Sequence, residues 1–136
     1  MGIKIAILED NQSIIDGYNY RLCGPEFEII GIALYGEDIE KILAASKPDV
    51  LILDANVRSS PENHNPFPIL VFVRNAVQKD PDLKILVVSM LTAGALIEEF
   101  VNAGVRGYIF KDDERAIQQL CHVIKIVAEG WFYFSS

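Results

Sequence analysis

Five polar positions in this 136-residue chain stand at the ends of apolar runs: Glu9 with Asp10, then Asp54, Ser89 and Lys111. Singly they are ordinary. An aspartate after a strand often just begins a turn, and a serine often does the same. A lone lysine is usually a solvated surface residue. Gathered in one place, the same residues become a site. At about 4 Å and an effective dielectric of about 20, each like-charged carboxylate pair costs on the order of 4 kcal/mol. A hard divalent cation, bound through carboxylate oxygens, cancels that cost. The chemistry suggested is the collection of negative oxygen around a cation, with a hydroxyl and an amine close by.

The elements that must position these groups are legible from hydropathy. Val50-Leu51-Ile52-Leu53 is apolar on both faces and runs straight into Asp54, as a strand covered by helices on both sides does. Residues 3–8 form a similar run that ends at Glu9-Asp10-Asn11. Further strands are predicted at 27–34, 85–88 ending at Ser89, and 107–110 ending at Lys111. Between them lie helical patterns. Ile14, Ile15, Tyr18 and Leu22 share a face after a capping Asn11, with Gly24-Pro25 as the stop. Ile39, Ile42, Leu43 and Ala45 mark a second helix, and residues 70–77 a third. Residues 93–103 form a fourth, with Leu96, Ile97, Phe100 and Val101 inward and Gly104 at its end. Residues 114–129 form a fifth, with a core stripe of Ile117, Leu120, Cys121, Ile124 and Val127 or Ala128, stopped by Gly130. Its other apolar residues, Ala116, Val123 and Ile126, mark either a partner surface or extra burial. Residues 55–68 are polar, hold Pro61, Pro66 and Pro68, and read as a long loop.

Five strands alternating with five helices predict an α/β fold with a doubly wound parallel sheet. The carboxyl ends of parallel strands face one way, so Glu9, Asp10, Asp54, Ser89 and Lys111 meet at one edge, where ligands of open α/β sheets bind. Composition agrees with one domain of ordinary size: 51% hydrophobic and 23% charged residues. The net charge of -7 and the lack of a basic run leave no electrostatic footprint for nucleic acid, so none is expected to bind this chain itself. Cys23 and Cys121 form no CxxC pair and are expected to be small core residues. The N-terminus lacks a signal-peptide pattern and no apolar run is long enough to span a membrane, so a cytoplasmic location is the expectation.

These residues resemble the receiver (CheY-like) domain of two-component response regulators over nearly the whole chain. The family shows an acidic pair after the first strand, an acceptor aspartate after the third, Ser or Thr after the fourth and Lys after the fifth. Lys47-Pro48-Asp49-Val50-Leu51-Ile52-Leu53-Asp54 and Ala103-Gly104-Val105-Arg106-Gly107-Tyr108-Ile109-Phe110-Lys111 carry the likeness most specifically. It implies a flavodoxin-like (βα)5 sheet of strand order 2-1-3-4-5. It further implies Mg²⁺ held by Glu9, Asp10, Asp54 and the backbone carbonyl of Asn56, with Asp54 accepting a phosphoryl group from a sensor histidine kinase. Lys111 would neutralise the phosphoryl oxygens and Ser89 would donate a hydroxyl. Ser89 and Tyr108 would then act as the switch, controlling a homodimer or output surface on the fourth helix, fifth strand and fifth helix. In this role the chain is a phosphoacceptor in a phosphorelay and not an enzyme in its own right. Asp112 after Lys111, together with residues 129–136, looks like the NarL/LuxR-type subfamily, whose members regulate transcription through a helix-turn-helix DNA-binding domain. The expected division is a receiver over 1–130 and a tail, or the start of a linker to an absent output domain, over 131–136.

Two departures stand out. Glu9 replaces the commoner Asp, and the loop after Asp54 is longer than usual and lacks the usual Met-Pro pair. His64 in that loop is expected to be solvated. Two other functions stay open at this point. One is a receiver fold used as an unphosphorylated interaction module. The other is a haloacid dehalogenase-like phosphatase, disfavoured because Asn56 stands where that family places a second Asp. A flavodoxin-like FMN binder is disfavoured because Glu9-Asp10 would repel phosphate.

Overall fold

Each apolar run becomes a strand because its side chains alternate between two buried faces. Ala6, Leu8, Leu51, Leu53, Ile85 and Val87 enter one core; Ile5, Ile7, Val50, Ile52, Leu86 and Val88 enter the other. A computed structural model describes residues 2–90 and 94–135. Its elements in order are β1 (Ile3–Leu8), α1 (Gln12–Arg21), β2 (Phe27–Ala33), α2 (Gly36–Ala45), β3 (Val50–Asp54) and α3 (Ile69–Lys79). Then come β4 (Lys84–Ser89), α4 (Gly94–Ala103), β5 (Gly107–Phe110), α5 (Glu114–Gln118), α6 (Leu120–Ala128) and β6 (Tyr133–Phe134). Among the described residues the sheet is parallel, in the order β2-β1-β3-β4-β5-β6. The expected order 2-1-3-4-5 is present, extended by one short edge strand. The expected fourth-helix start at Ala93 lies outside the described residues.

Ile39, Phe72, Val73 and Phe100 bring α2, α3 and α4 onto one face. Tyr18, Leu120, Ile124 and Val127 bring α1 and α6 onto the other. The cap of α1 is as expected: the Asn11 side chain accepts from the Ile14 amide at 3.2 Å. Gly104 and Gly130 take φ of +112° and +98°, the left-handed turn that ends a helix and favours glycine.

The last helix differs from its sequence reading. It breaks at Gln119 into α5 and α6. Ala116 and Val123, expected on a second stripe, are buried among the core residues, while Ile117 and Cys121 are half-buried. A short break turns the helix, so a stripe read at a constant 3.6-residue period drifts off the true inner face. Cys23 is exposed and not a core residue; Cys121 is half-buried and its thiol donates to the Arg21 carbonyl at 3.0 Å. His64 is exposed, as expected.

The 55–68 segment is a folded loop. Val57 and Phe67 are buried in the core beside α2 and α3. The Phe67 amide donates to the Val57 carbonyl at 2.8 Å, and Arg58 bridges to Pro66. The first amides of α2, on Gly36 and Glu37, donate to the carbonyls of Arg58 and Ser59 at 2.9 and 3.0 Å. The Phe67 ring lies on Gly36 so closely that a Cβ there would stand 2.0 Å from a ring carbon.

Candidate functional site

Register sets the site. Leu8 pairs with Leu53, so the next residues, Glu9 and Asp54, stand level at adjoining strand ends. Asp54 pairs with Val88, and Ser89 with Phe110. Lys111 follows at once, its amide donating to the Ser89 carbonyl at 2.8 Å. The strand ends named from the sequence therefore do lie along one edge.

Their side chains converge around one ammonium group. Lys111 Nζ is 3.1 Å from Asp54 Oδ2 and 3.1 Å from Glu9 Oε1. Asp54 Oδ1 accepts from the Asn56 amide at 3.1 Å, and Glu9 Oε2 from the Asn11 amide at 3.1 Å. Glu9 is 1% exposed and Asp54 5%, whereas Asp10 is exposed. Carboxylate oxygens of Glu9, Asp10 and Asp54 all lie within 4.8 Å of one another.

This donor set suits a hard cation. Three carboxyls face one ammonium, so the site is short of positive charge. Glu9 Oε1 is also buried without a hydrogen bond: the lysine nitrogen is near, but the alignment is wrong. A buried carboxylate oxygen in that position is under-satisfied. The same shortage governs protonation at the site. Burial, and then the Asp54 charge, push the Glu9 carboxyl up to about 7, against the opposing pull of the Asn11 amide and Lys111. Burial works to lower the Lys111 value, but Asp54 and Glu9 outweigh it and the net shift is upward, so the ammonium stays charged.

Behind the charged groups lies a neutral pair. Ser89 is 1% exposed and Tyr108 2%. Their side chains hydrogen-bond to each other, and the Tyr108 ring packs on Phe100 with centroids 6.5 Å apart. Burial raises the Tyr108 phenol, the Ser89 bond partly offsetting it. Tyr108 thus points into the core. Asn56 reaches Asp54 through its backbone amide. Tyr18 is a further neighbour of the site. Burial, then the charges of Glu9 and Asp54, hold its phenol far above the usual range. In the sequence it was only an inward residue of α1, and no local signal marks it otherwise.

No protein-family model matches the chain. The transcriptional regulatory protein DegU of Brevibacillus brevis is 29% identical over 96% of this chain and 52% of its own length. The response regulator GacA of Pseudomonas aeruginosa is 25% identical over 98% of this chain and 58% of its own. The chain therefore spans little more than half the length of these relatives. Among solved structures, the isolated receiver domain of RcsB from Salmonella enterica serovar Typhimurium, determined with the phosphomimetic BeF3-, superposes with a TM-score of 0.82. That match covers 100% of this chain and 95% of that one at 14% identity, a likeness of fold. Matching strand ends, relatives aligned along nearly its full length, and this shared fold make the chain similar to the receiver domains of response regulators, of the NarL/LuxR type.

Proposed function

We propose that the chain receives a phosphoryl group on Asp54 and passes the event to its surface. One observation carries this reading most: a buried aspartate at the end of β3, held by a backbone amide and an ammonium, inside a three-carboxyl cluster. The donor would be a phosphohistidine on a sensor kinase. An Asp54 oxygen forms a bond to phosphorus while the P–N bond breaks and the imidazole leaves with its electron pair. Glu9, Asp10, Asp54 and the Asn56 carbonyl would hold Mg²⁺. When bound, it neutralises carboxylate and phosphoryl oxygens.

The remaining work falls to the chain's own groups. The Asn56 amide fixes one oxygen of Asp54, which orients the other. Lys111, already 3.1 Å from Asp54, is positioned to meet the added charge of about -2. The buried Ser89 hydroxyl would exchange its Tyr108 partner for a phosphoryl oxygen, with Tyr108 staying inward behind it. The output surface would comprise α4, β5 with β6 on its edge, and the α5–α6 helix, and would serve as a homodimer contact. The name of the DegU relative favours transcription regulation as the output; DNA would be bound outside this domain, in a cytoplasmic setting. In this reading the chain is a regulatory phosphoacceptor and not an enzyme.

Acid-labile labelling from acetyl phosphate with Mg²⁺ tests the assignment. Asp54→Asn should abolish incorporation. Full labelling of that variant would rule Asp54 out as acceptor, and undetectable Mg²⁺ binding would favour the unphosphorylated interaction module.

A further inference from the structure

After Gly130 the chain turns back and lays β6 along the outer edge of β5. The Tyr133 amide donates to the Arg106 carbonyl at 3.1 Å, and the Ser135 amide to the Tyr108 carbonyl at 2.8 Å. The Phe110 amide donates to Ser135 Oγ at 3.1 Å, and the same serine hydrogen-bonds Asp113. Ser135 thus grips the backbone on both sides of Ile109. Arg106 holds the start of the segment: its guanidinium donates to the Gly130 carbonyl at 3.0 Å and sits 4.9 Å from the Phe132 ring centroid.

The register places Phe134 beside Tyr108. Cross-strand partners in register project from the same face of a sheet. Phe134 therefore stands where the Tyr108 ring would swing if it left the core toward the edge. Tyr108 is inward, bonded to Ser89 and packed on Phe100, with β6 in place.

We propose that β6 is a latch on the switch residue: docked on β5, it holds Tyr108 inward, so tail docking and occupation of Asp54 favour one another. Phe134 and Ser135 are its positioning residues. The proposal rests on the phosphoacceptor reading above. Two equilibria that share one element are coupled, and the coupling is reciprocal. A phosphoryl group on Asp54 that draws on Ser89 and keeps Tyr108 inward must then tighten β6. A loosened β6 must weaken binding at Asp54.

The test uses the 136-residue chain with Mg²⁺ and beryllium fluoride as the phosphoryl mimic. Bound fluoride is followed by ¹⁹F NMR and backbone protection by amide hydrogen exchange. Beryllofluoride should slow exchange of the Tyr133 and Ser135 amides about tenfold, a coupling in the usual range for linked sites. Phe134→Ala and Ser135→Ala should each weaken beryllofluoride binding about fivefold, whereas Trp131→Ala, at an exposed and unpaired ring, should bind as the unmodified chain does. A bound fluoride signal with unchanged exchange at 133 and 135 would overturn the latch and leave the acceptor reading standing. Equal affinity in the Phe134 and Ser135 variants would overturn it too. No fluoride signal at all would remove the acceptor reading, and the latch with it. The exchange measurement needs no substitution, so a poorly folding variant does not blunt it.

Discussion

The two ends of the sheet are built on opposite principles. At the amino end there is space but no conflict. A cleft of about 190 Å³ lies between α2 and α3, floored by Leu43, Pro48, Phe72, Ala76 and Leu83. Charged groups near that end find partners: Asp49 accepts the Lys4 amide at 2.8 Å, and Lys125 pairs with Glu26. At the carboxyl end there is conflict. Two buried carboxyls share one lysine, and a buried oxygen lacks an aligned donor. The presence of a cleft would direct attention to the wrong end. Unresolved charge is the better guide, because a fold keeps such strain only where something else constrains it.

Breaking the contrast at its strongest point gives the largest effect on stability. Lys111→Met strands Glu9 and Asp54 without their cation, and should cost about 3 kcal/mol in urea unfolding at pH 8 without Mg²⁺. The loss should shrink at pH 5.5, where Glu9 takes up a proton. Lys79→Met at the cleft rim should change stability by less than about 0.5 kcal/mol.

Next comes pH. The folded Glu9 value of about 7 lies above its ordinary 4.5, so between these the native state binds more protons than the unfolded chain. Stability without Mg²⁺ should therefore fall as pH rises from 4.5 through 7, by on the order of 2–3 kcal/mol from this group. Melting curves at pH 5 and pH 8 check the sign. Glu9→Gln should flatten the dependence, and added Mg²⁺ should restore stability at the higher pH. A slope unchanged by Glu9→Gln would contradict the assignment.

Smaller effects sharpen the comparison. Gly36→Ala drives a methyl into the Phe67 ring and should cost about 2 kcal/mol, with faster amide exchange across the 55–68 loop. Asp49→Ala removes one exposed amide contact at the quiet end and should cost about 1 kcal/mol or less.

How much of this was legible follows from what a local pattern can carry. Strand ends were legible because an apolar run that halts at Glu9, Asp54 or Lys111 records both burial and its limit. The site followed, since parallel strands align their ends. The break at Gln119 was not legible, because no glycine or proline marks it. Nor was β6, since Trp131-Phe132-Tyr133-Phe134 is too short to show a period and pairs only across β5. The loop after Asp54 looked open because prolines and polar residues dominate it. Its two anchors, Val57 and Phe67, are single apolar residues whose partners lie in α2 and α3.

The seat of Phe67 on Gly36 also decides how that loop can change. Its carbonyls complete the first turn of α2, and its ring fills the space a side chain would take there. Grafting the 55–68 segment onto another protein of this fold would fail unless the glycine at the head of the neighbouring helix travelled with it. The two stretches, some twenty residues apart, form a single inheritable part.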